Sequence, residues 1–160
     1  LYKNAIIEKP NDMPRVIGSV YTGRGEDGDF LWMNLQEEHE DSLFIFNDNI
    51  EHHATARRGR GNAIMRRFNI HNPEGMKPKS AGIPTGSMES GGFTELNEIT
   101  RKHIDDSLEE IKHLIKTFDY KRIYYSAESP DGILGTNLFW VNEDVLVYIT
   151  AKIKELEDSS

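Results

Sequence analysis

Cysteine is absent from this 160-residue chain, which excludes disulfides, thiolate zinc sites and cysteine nucleophiles. Long apolar runs are absent too. None approaches the roughly 20 residues of a membrane span, and no signal peptide is visible at Leu1. The expectation is a soluble, cytoplasmic protein with no membrane partner. A start at leucine suggests that the true beginning is missing, so a removed leader stays open. Basic charge is scarce: 19 lysines and arginines face 27 acidic residues, for a net charge of −8. Such a field repels a polyanion, so duplex nucleic acid is not an expected partner, whereas a small phosphorylated ligand meets only the local field. There is no internal repeat and no G-x-S-x-G elbow. At 37% hydrophobic residues, the composition fits one globular domain over 1–160 with a sizeable core.

The scarce positive charge is concentrated. Arg57, Arg58, Arg60, Arg66 and Arg67 fall within eleven residues, threaded through Gly59 and Gly61. They follow an apolar run, 43–46, that ends in Asn47, Asp48 and Asn49, and they run into a helix-like segment, 63–68. A strand, a glycine-rich turn and a helix start together aim backbone N–H groups at whatever sits above the turn, and phosphate is the common guest. The alternative is a solvated loop whose arginines pair with the acidic excess elsewhere.

Residues 16–22 and 30–35 read as strands joined through the turn-rich string GRGEDGD, which predicts a hairpin in an N-terminal region, 1–42. Run 43–46 reads as a central strand buried on both faces and opens the core region, 43–158. Residues 69–92 shift to Gly, Pro, Ser and Met and read as loop broken by a short strand near 81–84. Ile104, Leu108, Ile111 and Ile115 recur at helical spacing, with a start near Thr94 or Thr100. Asp105, Asp106, Glu109 and Glu110 then fall on the wet face, where solvation is expected. Residues 122–126 form a further strand, followed by a glycine loop, 131–136. A last helix is capped by Asn142, carries Glu143 and Asp144 in its first turn, allows a staple between Val141 and Leu146, and runs to about Leu156. Strands alternating with helices predict an α/β fold with a mixed, partly parallel sheet. Loops 47–62, 85–92 and 126–136 then stand at the carboxyl ends of strands, where ligands of such sheets bind.

FNDN, RRGRGNAIMRRF and IYYSAESPDGILGTNLF stand in an order that resembles the macro domain, the family that binds ADP-ribose and related nucleotides. The resemblance covers roughly 43–156 and implies a single-domain, three-layer macro-like fold. It implies that Asn47 or Asn49 contacts the distal ribose, with Gly59, Gly61 and Asn62 beside it. It implies further that Gly132, Leu134, Gly135 and Thr136 hold the diphosphate, with Phe139 flanking the sugar. Arg60 interrupts the family's triple glycine, and NLQEEHEDS offers no counterpart of its adenine-binding aspartate, so base identity and catalysis stay open. The layout is also similar to that of small phage-encoded proteins, which would place the chain in the host cytoplasm.

The candidate functions are therefore three. The first is binding of an ADP-ribose-type ligand at the two glycine loops with Arg58 and Arg60, with hydrolysis, as a hydrolase or phosphatase, left open. The second is non-catalytic sequestration of a nucleotide signal, as in phage counter-defence. The third is single-strand nucleic-acid binding by RRGRG, disfavoured by the acidic balance and by the lack of interleaved aromatics. For catalysis, Asn49 would position a water or ribose hydroxyl, with the nucleotide's own phosphate or a loop histidine as base; His53 is the histidine candidate because it sits in the site loop and titrates near neutrality. Adjacent His52 and His53 point apart and have no third ligand at metal spacing, so no metal is expected, and no cofactor. An exposed loop position is the ordinary outcome for both. Ser126 and Thr136 are nucleophiles by type only, and hydroxyls in such loops more often bind phosphate. Tyr124, Tyr125 and Trp140 are expected in the core, or at a loop mouth stacked on a base.

Overall fold

A computed structural model describes residues 13–136 and 139–158. The N-terminal part of the 1–42 region, residues 1–12, lies outside the described residues. Five strands form one sheet: β1 (Arg15–Ser19), β2 (Ser42–Asn49), β3 (Ser80–Ser87), β4 (Gly91–Gly92) and β5 (Arg122–Ser126). Their order is β1-β5-β2-β3-β4. The first three pairings across the sheet are parallel, and β4 returns antiparallel against β3. The helices are α1 (Phe30–Asn34), α2 (Glu98–Thr117) and α3 (Glu143–Lys154), with 3₁₀ turns at Glu37–His39, Gly61–Phe68 and Glu155–Asp158. Among the described residues no helix is long and apolar enough to cross a membrane.

β2 explains the layering. Its side chains alternate, and both sets are buried. Leu43 and Ile45 join Ile104, Leu108 and Ile111 of α2 and Val145, Ile149 and Ile153 of α3 in one core. Phe44 and Phe46 join Phe30, Met33, Met65 and Tyr124 in a second core on the opposite face. The Phe44 ring stacks on Tyr124 at 5.5 Å and lies 5.0 Å from Phe30. The result is a three-layer α/β arrangement with helices on both faces of a mixed sheet.

Two expectations for the N-terminal half are corrected. Phe30–Asn34 is a helix, not a strand, and there is no hairpin there. Phe30 and Met33, one helical turn apart, are buried against Phe44 and Phe46 while Trp32 is exposed, so the segment follows a helical rather than an alternating period. β1 pairs in parallel with β5, from Arg15↔Arg122 to Ser19↔Ser126, a partnership more than a hundred residues away in sequence. The strand near 81–84 extends over Ser80–Ser87, and it is irregular where Asp48 faces Pro84 and Asn49 faces Gly86. Proline has no N–H for the ladder, which suits it to such a break. The long helix starts at Glu98, near Thr100 and not near Thr94. Asn97 caps it, accepting from the Thr100 N–H at 3.0 Å while the Thr100 hydroxyl accepts from the Asn97 N–H. Asn142 caps α3 through the Asp144 N–H at 2.7 Å.

Candidate binding crevice at the strand ends

β2 and β5 are neighbours, yet the chain leaves them toward opposite faces. From β2 it enters the Gly61–Phe68 turn on the α1 side, and from β5 it enters the loop to α3. Strands that part in this way open a crevice above their carboxyl ends. Two asparagines stitch its rim. The Asn47 side chain donates to the Gly135 carbonyl at 2.8 Å, tying the second glycine loop to the end of β2. Asn62 is buried and fully engaged. It donates to the Ser126 hydroxyl at 2.7 Å and to the Gly28 carbonyl at 3.1 Å, and it accepts from the Phe30 N–H at 2.8 Å. Asn47, Asn62, Ser126 and Gly135 therefore share one neighbourhood. Gly61 joins them at φ +57°, where glycine is favoured, with the Tyr21 ring beside it. Gly59 donates its N–H to the Ala63 carbonyl at 3.0 Å.

The second glycine loop holds itself. The N–H groups of Gly132, Leu134 and Gly135 donate to the Ser129 carbonyl, the Thr150 hydroxyl and the Ser126 carbonyl, at 2.8, 2.9 and 3.0 Å. The Tyr125 hydroxyl donates to the Gly132 carbonyl at 2.6 Å. These three N–H groups are already engaged, so the loop forms a rigid shelf. Thr136 and Phe139 line an open cleft of about 640 Å³ beside this loop, shared with Trp140, Glu128, Glu143 and Asp144. Trp140 is 66% exposed and lines this cleft, so of its two expected places it is not in the core.

The arginine cluster divides by burial. Arg57, Arg58, Arg60 and Arg67 are exposed. Arg66 is buried: its guanidinium donates twice to one oxygen of the buried Asp48, at 2.9 and 2.6 Å, and once to the Arg57 carbonyl at 2.9 Å. Gly82 on β3 makes room for this pair, since a β-carbon there would lie 2.2 Å from the Asp48 carboxylate.

Asp48 also faces His53. Asp48 Oδ2 lies 2.9 Å from His53 Nδ1, and His53 Nε2 lies 3.4 Å from both Ser107 Oγ and Glu110 Oε1. The order Asp–His–Ser has the outline of a nucleophilic triad, but three features oppose that chemistry. Ser107 is 1% exposed and donates to the His103 carbonyl at 2.9 Å. Glu110 places a carboxylate where a triad leaves the imidazole facing its serine. Burial alone would lower the His53 pKa, but hydrogen bonds to Asp48 and Glu110 outweigh it and raise the value to about 9. His53 is thus a protonated link between two carboxylates, not a base, and with its side chain 21% exposed it is no loose surface residue. Glu110 departs from the expected solvation: burial would raise its pKa, but His53 and His71 hold it below the ordinary carboxylate range. Asn49 shapes the adjacent turn by accepting from the His52 N–H at 2.9 Å.

One site-forming signal escaped the sequence reading. Gly23, Gly25 and Gly28 stand at G-x-G-x-x-G spacing between β1 and α1, the pattern of phosphate-cradling turns. Here the N–H groups of Thr22, Gly23 and Gly25 point at the Asp29 carboxylate, at 2.8, 3.0 and 2.6 Å. Burial raises the Asp29 pKa, and these donors lower it more, leaving it below its ordinary value. The chain fills this nest with its own anion. Compared with known proteins, the chain matches no family model, no curated protein and no solved structure.

Proposed function

We propose that this protein is a macro-like module that binds a nucleotide diphosphate sugar of ADP-ribose type in the crevice above β2 and β5, and that it holds the ligand without turning it over. The observation that carries this reading is the pair of asparagine stitches: Asn47 and Asn62 draw both glycine-bearing loops to the ends of adjacent parallel strands. Arg58 and Arg60, exposed beside Gly61, supply charge at the rim for phosphate. Binding without hydrolysis is favoured over a hydrolase because His53, the candidate histidine base, is held protonated.

A thermal-shift panel of ADP-ribose, NAD, cyclic nucleotides and mononucleotides tests the reading. A ligand at 100 times its dissociation constant stabilises the fold by about 2.7 kcal/mol, which shows as a raised melting temperature. ADP-ribose is expected to give the largest shift and to be recovered intact. A flat response across the panel would refute the binding reading, and release of ribose or phosphate would refute the absence of turnover.

A further inference from the structure

The Ser19 hydroxyl is buried at the end of β1 and has no hydrogen-bond partner. A buried polar group left unpaired costs about 1–3 kcal/mol, so its retention calls for a partner. The direction in which it points follows from the strand. A β-carbon on the preceding Gly18 would meet the Tyr125 ring and Ala127, so Gly18 faces the α2 and α3 side and Ser19 faces the α1 side. Ser126, in register with Ser19 and next to Tyr125, faces the α1 side for the same reason. There its oxygen accepts from Asn62. Two hydroxyls thus stand side by side on neighbouring strand ends, each 8% exposed.

We infer that Ser19 and Ser126 form a subsite for a phosphoryl oxygen, an inference that rests on the nucleotide-binding reading above. The donors decide the chemistry. Both Asn62 amide hydrogens are spent on Gly28 and Ser126, and its oxygen is spent on Phe30, so what remains to offer is the O–H of each serine. Two adjacent O–H donors match an acceptor oxygen without a hydrogen of its own. Charge near the pair is mixed: the Gly61–Phe68 turn has no side-chain cap at its start and Arg60 precedes it, while the Asp131 carboxylate accepts from the Gly18 N–H at 2.9 Å. The Gly23–Gly28 nest does not compete, because Asp29 occupies it.

Calorimetric titration of wild type, Ser19→Ala and the near-isosteric Ser19→Cys with ADP-ribose and with inorganic pyrophosphate tests the subsite. Both variants are expected to lose about tenfold in affinity for both probes, the equivalent of one hydrogen bond to a charged group. Their melting temperatures should equal or exceed that of wild type, because an unpaired hydroxyl is removed. Loss for ADP-ribose alone would assign the serines to the sugar and overturn the inference. Unchanged affinity for both probes, or a lowered melting temperature, would make Ser19 a structural or water-satisfied residue and overturn it while sparing the nucleotide reading. Binding of neither probe by wild type would overturn both.

Discussion

The arginines differ in what each holds, and their substitutions should separate accordingly. Arg66 shares the neutralisation of the solvent-free Asp48 carboxylate with His53, so removing it takes away two charged hydrogen bonds and leaves one cation beside the buried carboxylate. Arg66→Ala should lose about 1.5–3 kcal/mol in urea unfolding, and replacement of Arg58 and Arg60 together should stay within about 0.5 kcal/mol while weakening anion binding. A similar loss in both variants would erase the division. His53 predicts a pH dependence of definite sign. Its pKa rises from 6.5 to about 9 on folding, so its contribution is fully present below pH 6.5 and disappears as pH climbs through 9. Wild type should lose on the order of 2–3 kcal/mol across that window, and His53→Gln should be flat there. Equal slopes for the two proteins would show that another group carries the effect.

Elements are held at their ends by pairs that single substitutions can reach. Asn97→Ala removes the reciprocal cap of α2 and should cost about 1 kcal/mol without altering ligand affinity, since the cap belongs to the helix start and not to the asparagine-stitched crevice. Chemical denaturation beside calorimetry separates the two readouts. Gly135 behaves differently. A β-carbon there would lie 3.0 Å from the Glu128 nitrogen and 3.1 Å from the Ala127 carbonyl carbon. Gly135→Val should therefore destabilise the shelf itself by about 1–3 kcal/mol, visible as a lower melting temperature without ligand. An unchanged melting temperature would mean that the shelf yields. α1 shows how little an element of five residues owes to its own propensity: two buried side chains, Phe30 and Met33, and the Asp29-filled nest before it set its place.

At the scale of the whole molecule, a net charge of −8 surrounds a small basic rim. Exposed arginine contacts with a phosphate are screened by salt, whereas buried hydroxyl contacts are screened much less. The affinity of wild type for ADP-ribose should fall as ionic strength rises, and the arginine double variant should show a shallower slope. Ser19→Ala should keep the wild-type slope at lower affinity. Parallel slopes for wild type and the arginine variant would remove the rim from the site. The three layers also divide the labour: α2 and α3 cover one face of the sheet as a large aliphatic core, and the smaller aromatic core under α1 ends at the polar groups of the crevice.

Local pattern alone determined the buried central strand, α2, the capped α3 and the concentration of arginine, because a double-faced apolar run, a 3.6-residue period and a capping residue act within a few positions of chain. It also determined that loops 47–62 and 126–136 would stand at strand ends, since alternation of strands and helices implies parallel pairing. Tertiary structure decided the rest. Asn47 meets Gly135 across 88 residues and Asn62 meets Ser126 across 64, and no spacing in the sequence encodes either contact. Phe30–Asn34 carries an apolar run that suits strand or helix equally, and only packing on Phe44 and Phe46 resolves it. Arg66 and Arg67 are neighbours of the same type, and His53 and Glu110 both read as surface residues. Asp48, reaching over the space that Gly82 leaves, decides which arginine is buried and, with Glu110, which histidine is charged, because burial makes the pairing of a charge obligatory.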